Sequence, residues 1–166
     1  KGGPQILLNN GSGWTSAWDF PLALAARSAL DLKDAHYLGK EELFKGPFGF
    51  IFRSTGGFPV NRSNKQQMVD QVVQLFQTHE KFILALSPEG TRKRVDRLRS
   101  GFYHIAKKAG VPIIMVAFDF TKKEITVAPP FYAGADEEAD FKKIIAHFAP
   151  IQGKVPELGL SHLLTP

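Results

Sequence analysis

The residue types best equipped for chemistry are packed into Ser87-Pro88-Glu89-Gly90-Thr91-Arg92. A carboxylate, a hydroxyl and a run of cations at such close spacing suit a polar, negatively charged ligand. Pro and Gly on either side of Glu89 fix the backbone so that one side chain is aimed rather than left to wander. The same residues also fit a surface loop closed by ion pairs, so the elements around them have to decide.

Immediately before this turn, residues 82–86 form an apolar run rich in Ile and Leu, which reads as a buried strand. In open α/β sheets the crevice beyond the carboxyl ends of the strands receives the ligand, and residues 87–92 occupy that place. Earlier in the chain, residues 5–8 read as a first strand and 9–13 as a turn of small polar residues. Asp19 and Pro21 suit the first turn of a helix over 20–30. Residues 35–38 read as a short strand. Residues 41–54 mix short helix with a break at Gly46-Pro47, and 56–62 hold a turn, a brief extended piece and a polar pair.

A long helix is expected over 65–78, with Ser63 and Asn64 as capping candidates and Met68, Val69, Val72, Val73, Leu75 and Phe76 as its apolar face. Ser100 can cap a helix running to Ala109 that Gly110 terminates, and 111–120 reads as a largely buried strand. Thr121-Lys122-Lys123 looks like a hairpin turn into 124–128, and 136–148 is a last amphipathic helix. The tail from Ala149 has little periodicity and is assigned no element. Alternating strands and helices imply an α/β fold: a mostly parallel central sheet with an antiparallel edge hairpin and helices on both faces.

A chain of 166 residues fits a single domain, 1–166, with enough length to bury a core. With 43% hydrophobic and 22% charged residues, disorder is excluded as the main state. No apolar run is long enough to cross a bilayer. The first residue is Lys1, so a trimmed upstream piece carrying a membrane segment is compatible with the sequence. There is no cysteine, and the five His give no ligand pair at helical spacing, so no metal site is expected. The net charge of +5 implies attraction to anions. Arg92, Lys93, Arg94, Arg97 and Arg99 cluster directly after the Glu89 turn, without the interleaved aromatics that nucleic-acid binding favours, so no nucleic-acid partner is expected.

Four blocks then fall in order: 14–20, 57–62, 87–92 and Val111-Pro112-Ile113-Ile114. Together they resemble the glycerophosphate and lysophosphatidate acyltransferase family, whose members carry a His-x4-Asp pair, a Gly-rich block ending in Arg, a Pro-Glu-Gly-Thr-Arg block and a Val-Pro-Ile/Val block at about these spacings. Pro88-Glu89-Gly90-Thr91-Arg92 is the most specific match. The resemblance covers roughly residues 5–132 and implies transfer of a fatty acyl group from an acyl thioester, acyl-CoA or acyl-ACP as co-substrate, to a glycerol hydroxyl beside a phosphate. No tightly bound cofactor is implied.

By the same resemblance the partner is a small lipid substrate; the basic cluster from Arg92 to Arg99 adds docking on an anionic membrane surface, and the expected setting is peripheral, at the cytoplasmic face of a membrane. The family's His acts as general base and its Asp, matched by Asp19, holds the imidazole. Gly57, Arg62, Glu89, Gly90, Thr91 and Arg92 carry over as acceptor-binding residues, with guanidinium forks on the phosphate.

At the general-base position this sequence has Trp14, in Gly-Trp-Thr-Ser-Ala-Trp-Asp, where the family has Pro-His-Thr-Ser-Asn-Trp-Asp. Indole offers one N–H donor and no basic lone pair, so Trp14 cannot take the hydroxyl proton. Three explanations stay open: a binding-only relative, a variant altered at its active site, or recruitment of another base. For the last, His36 and His104 are the candidates, His104 reading as a partly packed side chain in mid-helix. Trp14 itself fits hydrophobic packing beside Trp18, closure of the acceptor cavity, or an apolar wall for a different ligand.

Overall fold

The computed structural model describes residues 3–10, 34–61, 64–90 and 93–164. Six strands form one sheet in the order β3-β2-β4-β1-β5-β6: β1 (Gln5–Asn9), β2 (Ala35–Lys40), β3 (Gly57–Val60), β4 (Ile83–Leu86), β5 (Ile113–Asp119) and β6 (Glu124–Val127). The first five are parallel and β6 pairs antiparallel with β5, as the sequence leads one to expect.

From β2 onward the parallel strands are joined through helices. α1 (Glu41–Lys45) and α2 (Gly49–Ser54) link β2 to β3, α3 (Lys65–Thr78) links β3 to β4, and α4 (Gly101–Ala109) links β4 to β5. α5 (Glu137–Phe148) follows β6. The β3-to-β4 and β4-to-β5 crossovers step one way along the sheet and the β2-to-β3 connection steps the other. Right-handed crossing therefore sets α3 and α4 on one face and α1 and α2 on the other.

Strand alternation builds the core on the α3–α4 face. In β1 the buried residues are Ile6 and Leu8, and in β5 they are Ile113, Met115 and Ala117. They meet Val72 and Phe76 of α3, Phe102 and Ile105 of α4, and Ile144 and Phe148 of α5. Capping follows the sequence closely. The Asn64 side chain accepts from the N–H groups of Gln66 (3.1 Å) and Gln67 (3.2 Å), and Gly110 closes α4 at φ 67°, a left-handed conformation suited to glycine. Asp136 caps α5 through the Ala139 N–H at 3.0 Å.

Three expectations need correcting. Ser100 does precede α4, but its side chain makes no capping bond; its carbonyl takes the N–H groups of Tyr103 and His104 instead. The tail beyond Ala149 contains two short 3-10 turns, Pro156–Leu158 and Ser161–Leu164, which seat Leu160 in the core at 2% exposure. Ile151 and Leu163 pack against the same core, so the tail does lie against the body as expected, and these few apolar residues fall at no regular spacing to read. His104 is exposed rather than partly packed, because Phe102, Tyr103, Ile105 and Ala106 occupy the inward face of α4.

Candidate active site

Chain direction along the sheet reverses between β4 and β1. β2, which follows β1 in sequence, lies on one side of this strand pair, and β5, which follows β4, lies on the other. A crevice opens between β1 and β4 at such a switch point. β1 and β4 pair in register through Leu8 and Leu86, which brings the two exits out side by side, about 5 Å apart at the usual strand spacing. The β1 exit ends at Asn10 among the described residues, and the β4 exit runs into the Glu89 turn.

The β1 exit is pinned by Asn10, which is 1% exposed. Its amide donates to the Phe118 carbonyl at 3.0 Å and its oxygen accepts the Phe118 N–H at 2.8 Å, so the side chain extends the β1–β5 ladder by one rung. Nothing in the sequence distinguishes this Asn from its neighbour Asn9.

The β4 exit closes by a Gly90 N–H to Ser87 carbonyl bond at 3.1 Å. Gly90 sits at φ 63°, where a side chain is strained, and a Cβ there would stand 3.0 Å from Arg99 Cγ. Glu89 is 2% exposed. A carboxylate so deeply buried is held by the protein around it, which sets this Glu apart from a surface loop.

Two further groups belong to the same turn. The Ser87 hydroxyl is buried with no hydrogen-bond partner, and a buried polar atom left in that state costs about 1–3 kcal/mol. The Arg99 N–H donates to the Pro88 carbonyl at 2.7 Å, holding the Arg99 side chain over Gly90. Sequence reading grouped Arg99 with the basic cluster, and only the fold shows that the chain returns to the turn at that point. Leu86, Ser87, Gly90, Arg97 and Arg99 line one end of an open groove of about 1350 Å³ that continues along α3 and α4.

The remaining candidates are distributed as follows. Gly57 opens β3 beside Tyr37, and a Cβ there would come within 2.9 Å of both the Phe44 and Tyr37 rings, so glycine is required by packing at that place. Counting along β2 from the Ala35–Ile83 pair puts Gly57 level with Ala85 and Val60 level with Pro88, so it is the end of β3, not Gly57, that reaches the height of the Glu89 turn. Trp14, Asp19, Arg62, Thr91 and Arg92 lie outside the described residues. His36 stacks on Phe82 at 4.9 Å with its Nδ1 3.2 Å from the Gly56 carbonyl, a packed position at the amino end of β4. Among the described residues no group of three or more His, Cys, Asp or Glu is placed to hold a metal ion.

A second buried carboxylate, Asp140 of α5, lies elsewhere. It accepts from the Gly134 N–H (2.7 Å), the Tyr103 hydroxyl (2.9 Å) and Lys143 Nζ (3.1 Å). Burial alone would raise its pKa, but these three donors hold it below the usual carboxylate value. Burial, together with the neighbouring carboxylate, pushes the Tyr103 phenol up to about 12.

Comparison with known proteins places this geometry in a family. A model of the family described as Acyltransferase matches residues 2–119. The 1-acyl-sn-glycerol-3-phosphate acyltransferase of Haemophilus influenzae is 32% identical over 96 residues, covering 54% of this chain and 40% of that protein. The protein of the same name from Escherichia coli is 31% identical over 96 residues, covering 54% of this chain and 39% of its own length. The match thus spans about two fifths of each curated relative. No solved structure matches the chain.

Proposed function

This chain belongs to the acyltransferase family, and we propose that it is built to move a fatty acyl group from an acyl thioester, on coenzyme A or acyl carrier protein, to the hydroxyl of glycerol 3-phosphate or lysophosphatidate. The observation carrying this reading is the in-register pairing of β1 with β4 at the switch point, which brings the carboxyl end of β1 beside the buried Glu89 turn. The names of the Haemophilus and Escherichia relatives support the choice of acceptor.

In this reading Arg62 and Arg92 grip the acceptor phosphate, Glu89 and Thr91 orient its glycerol, and Gly90 lets the backbone come close, while Gly57 serves the packing of β3 on Phe44 and Tyr37. Asp19 stands ready to hold a general base. Trp14 occupies that base's position and cannot accept a proton, so turnover is slower by about 10² to 10⁴ than with His there. The thioester is a co-substrate, the reaction calls for no tightly bound cofactor, and the protein works peripherally at the cytoplasmic face of an anionic membrane.

Trp14 also favours a second reading, a non-catalytic relative that binds lipid or acyl ligands on such a membrane. Acyl transfer by the chain and by Trp14→His separates the two. Phosphatidate or lysophosphatidate formed by Trp14→His supports the enzyme scaffold. If neither protein forms product while both bind lysophosphatidate, the binding reading stands and the catalytic one falls.

A further inference from the structure

Of the large apolar side chains exposed among the described residues, four fall within nine residues: Leu43 (48%), Phe48 (66%), Phe50 (67%) and Ile51 (40%). They belong to α1, α2 and the turn between them. This exposure is built in rather than left over, because the inward positions are already filled. Phe44 is 4% exposed, packs on Phe52, and is closed in by Gly39 and Gly57, where a Cβ would stand 2.6 and 2.9 Å from its ring. Arg53 donates to the Phe44 carbonyl at 3.1 Å and lies over its ring, and the Tyr37 hydroxyl reaches Thr55 at 2.9 Å. With that base locked, the outer Phe rings have nowhere inside to go.

Position and charge say what covers them. α1 begins at the carboxyl end of β2, and β2 is parallel to and paired with β4, whose carboxyl end carries the Glu89 turn. The exposed cations Lys93, Arg94, Arg97 and Arg99 leave from that same edge of the sheet. One edge of the molecule therefore presents an apolar platform, a basic rim and the candidate active site together. Apolar rings beside Lys and Arg match a bilayer with anionic headgroups, the rings entering the acyl boundary while the cations stay at phosphate level. Helices of five and six residues can seat on a bilayer but not span it.

We propose that the α1–α2 platform is the surface by which this protein docks on an anionic phospholipid leaflet, with Phe48 and Phe50 as its inserted side chains. The proposal rests on the reading that the acceptor is a lipid, since docking here would turn the Glu89 crevice toward the membrane that supplies it.

The test is vesicle flotation without substrate, using phosphatidylcholine containing phosphatidylglycerol and phosphatidylcholine alone. The parent chain should float with the anionic vesicles, and Phe48→Ser/Phe50→Ser should lose at least about tenfold in partitioning. Flotation of that variant at the parental level overturns the proposal. So does a parent chain that is dimeric without lipid and becomes monomeric in the variant, since a second copy would then be the occupant.

Because the chain has no cysteine, Phe50→Cys carrying an environment-sensitive nitrobenzoxadiazole label gives a readout that survives if the double variant folds poorly. Its emission should shift to the blue on anionic vesicles while Lys142→Cys on α5 stays unchanged; no shift at position 50, or an equal shift at both, contradicts the proposal. Flotation is read apart from acyl transfer. A chain that docks through Phe50 yet forms no product as Trp14→His would sink the catalytic reading and leave the docking surface standing.

Discussion

Two of the three carboxylates buried among the described residues, Asp140 and Glu89, are held in different ways. At the junction of α4 and α5, Asp140 is enclosed by three donors and its principal partner Tyr103 is fully buried. The Tyr103 bond ties α4 to α5, the Gly134 bond ties the preceding loop to α5, and the Lys143 bond lies within α5. At the end of β4, Glu89 sits in a turn with a left-handed glycine, an unpartnered Ser87 hydroxyl and the stem of the Arg99 side chain lying over Gly90. The first arrangement is closed and stabilises the fold. The second leaves the Ser87 hydroxyl without a partner beside an open groove, a polar group within reach of a ligand. Burial of a charge alone does not mark function; burial at a strand exit with capacity left over does.

Asp140→Ala should separate the regions most strongly. It strands the Tyr103 hydroxyl and the Gly134 N–H, at a cost of about 3 kcal/mol, which for a chain of this size lowers Tm by roughly 6–12 °C. Acceptor KM in the Trp14→His background should not move. A melting curve within a degree or two of the parent would show that the latch is not what holds α4 to α5.

Glu89→Gln should show the opposite pattern. Losing a hydrogen bond to a charged partner in the site costs about 1.5–3 kcal/mol, or roughly 10- to 150-fold in kcat/KM measured in the Trp14→His background. If activity holds and only Tm falls, Glu89 is a structural carboxylate like Asp140 and the distinction between the regions fails.

The pH dependence of stability gives the smallest effect. Asp140 is held below its ordinary value of 3.8, so its contribution is fully present above that pH and is lost as pH falls through 3.8 toward the lower folded value. His147 on the same helix is held below its ordinary 6.5 by burial, so the folded state resists a proton that the unfolded chain accepts, and stability declines as pH falls below 6.5. Asp140→Asn should flatten the acid limb of a Tm-against-pH curve, and His147→Gln the limb just below 6.5. Unchanged curves would remove both assignments.

Much of this architecture is legible in the sequence because its signals are local. Asn64 marks the start of α3 and Gly110 the end of α4 through backbone chemistry confined to a few residues. The Glu89 turn is legible for the same reason, since Pro88 and Gly90 punctuate a strand end. What stays hidden depends on distant parts of the chain meeting. Glu89 in a polar run gives no hint of 2% exposure, Arg99 is nine residues from Gly90 yet lies over it, and Asn10 is tied to Phe118 on another strand. β3 joins the sheet as a parallel edge strand although four residues with a central Pro59 are too few to show an alternation. The apolar outer surface of α1 and α2 is hidden as well, because the neighbouring Phe44 and Phe52 turn inward and sequence does not separate the two sets.

The central claim is that the scaffold for acyl transfer is retained while the proton acceptor is gone. Release of coenzyme A thiol from a long-chain acyl-CoA, followed with lysophosphatidate present and absent, tests it directly in the parent chain and Trp14→His. An acceptor-dependent rate that rises by about 10² or more on restoring His is the predicted result; equal acceptor-dependent rates in the two proteins, or none in either, would contradict it.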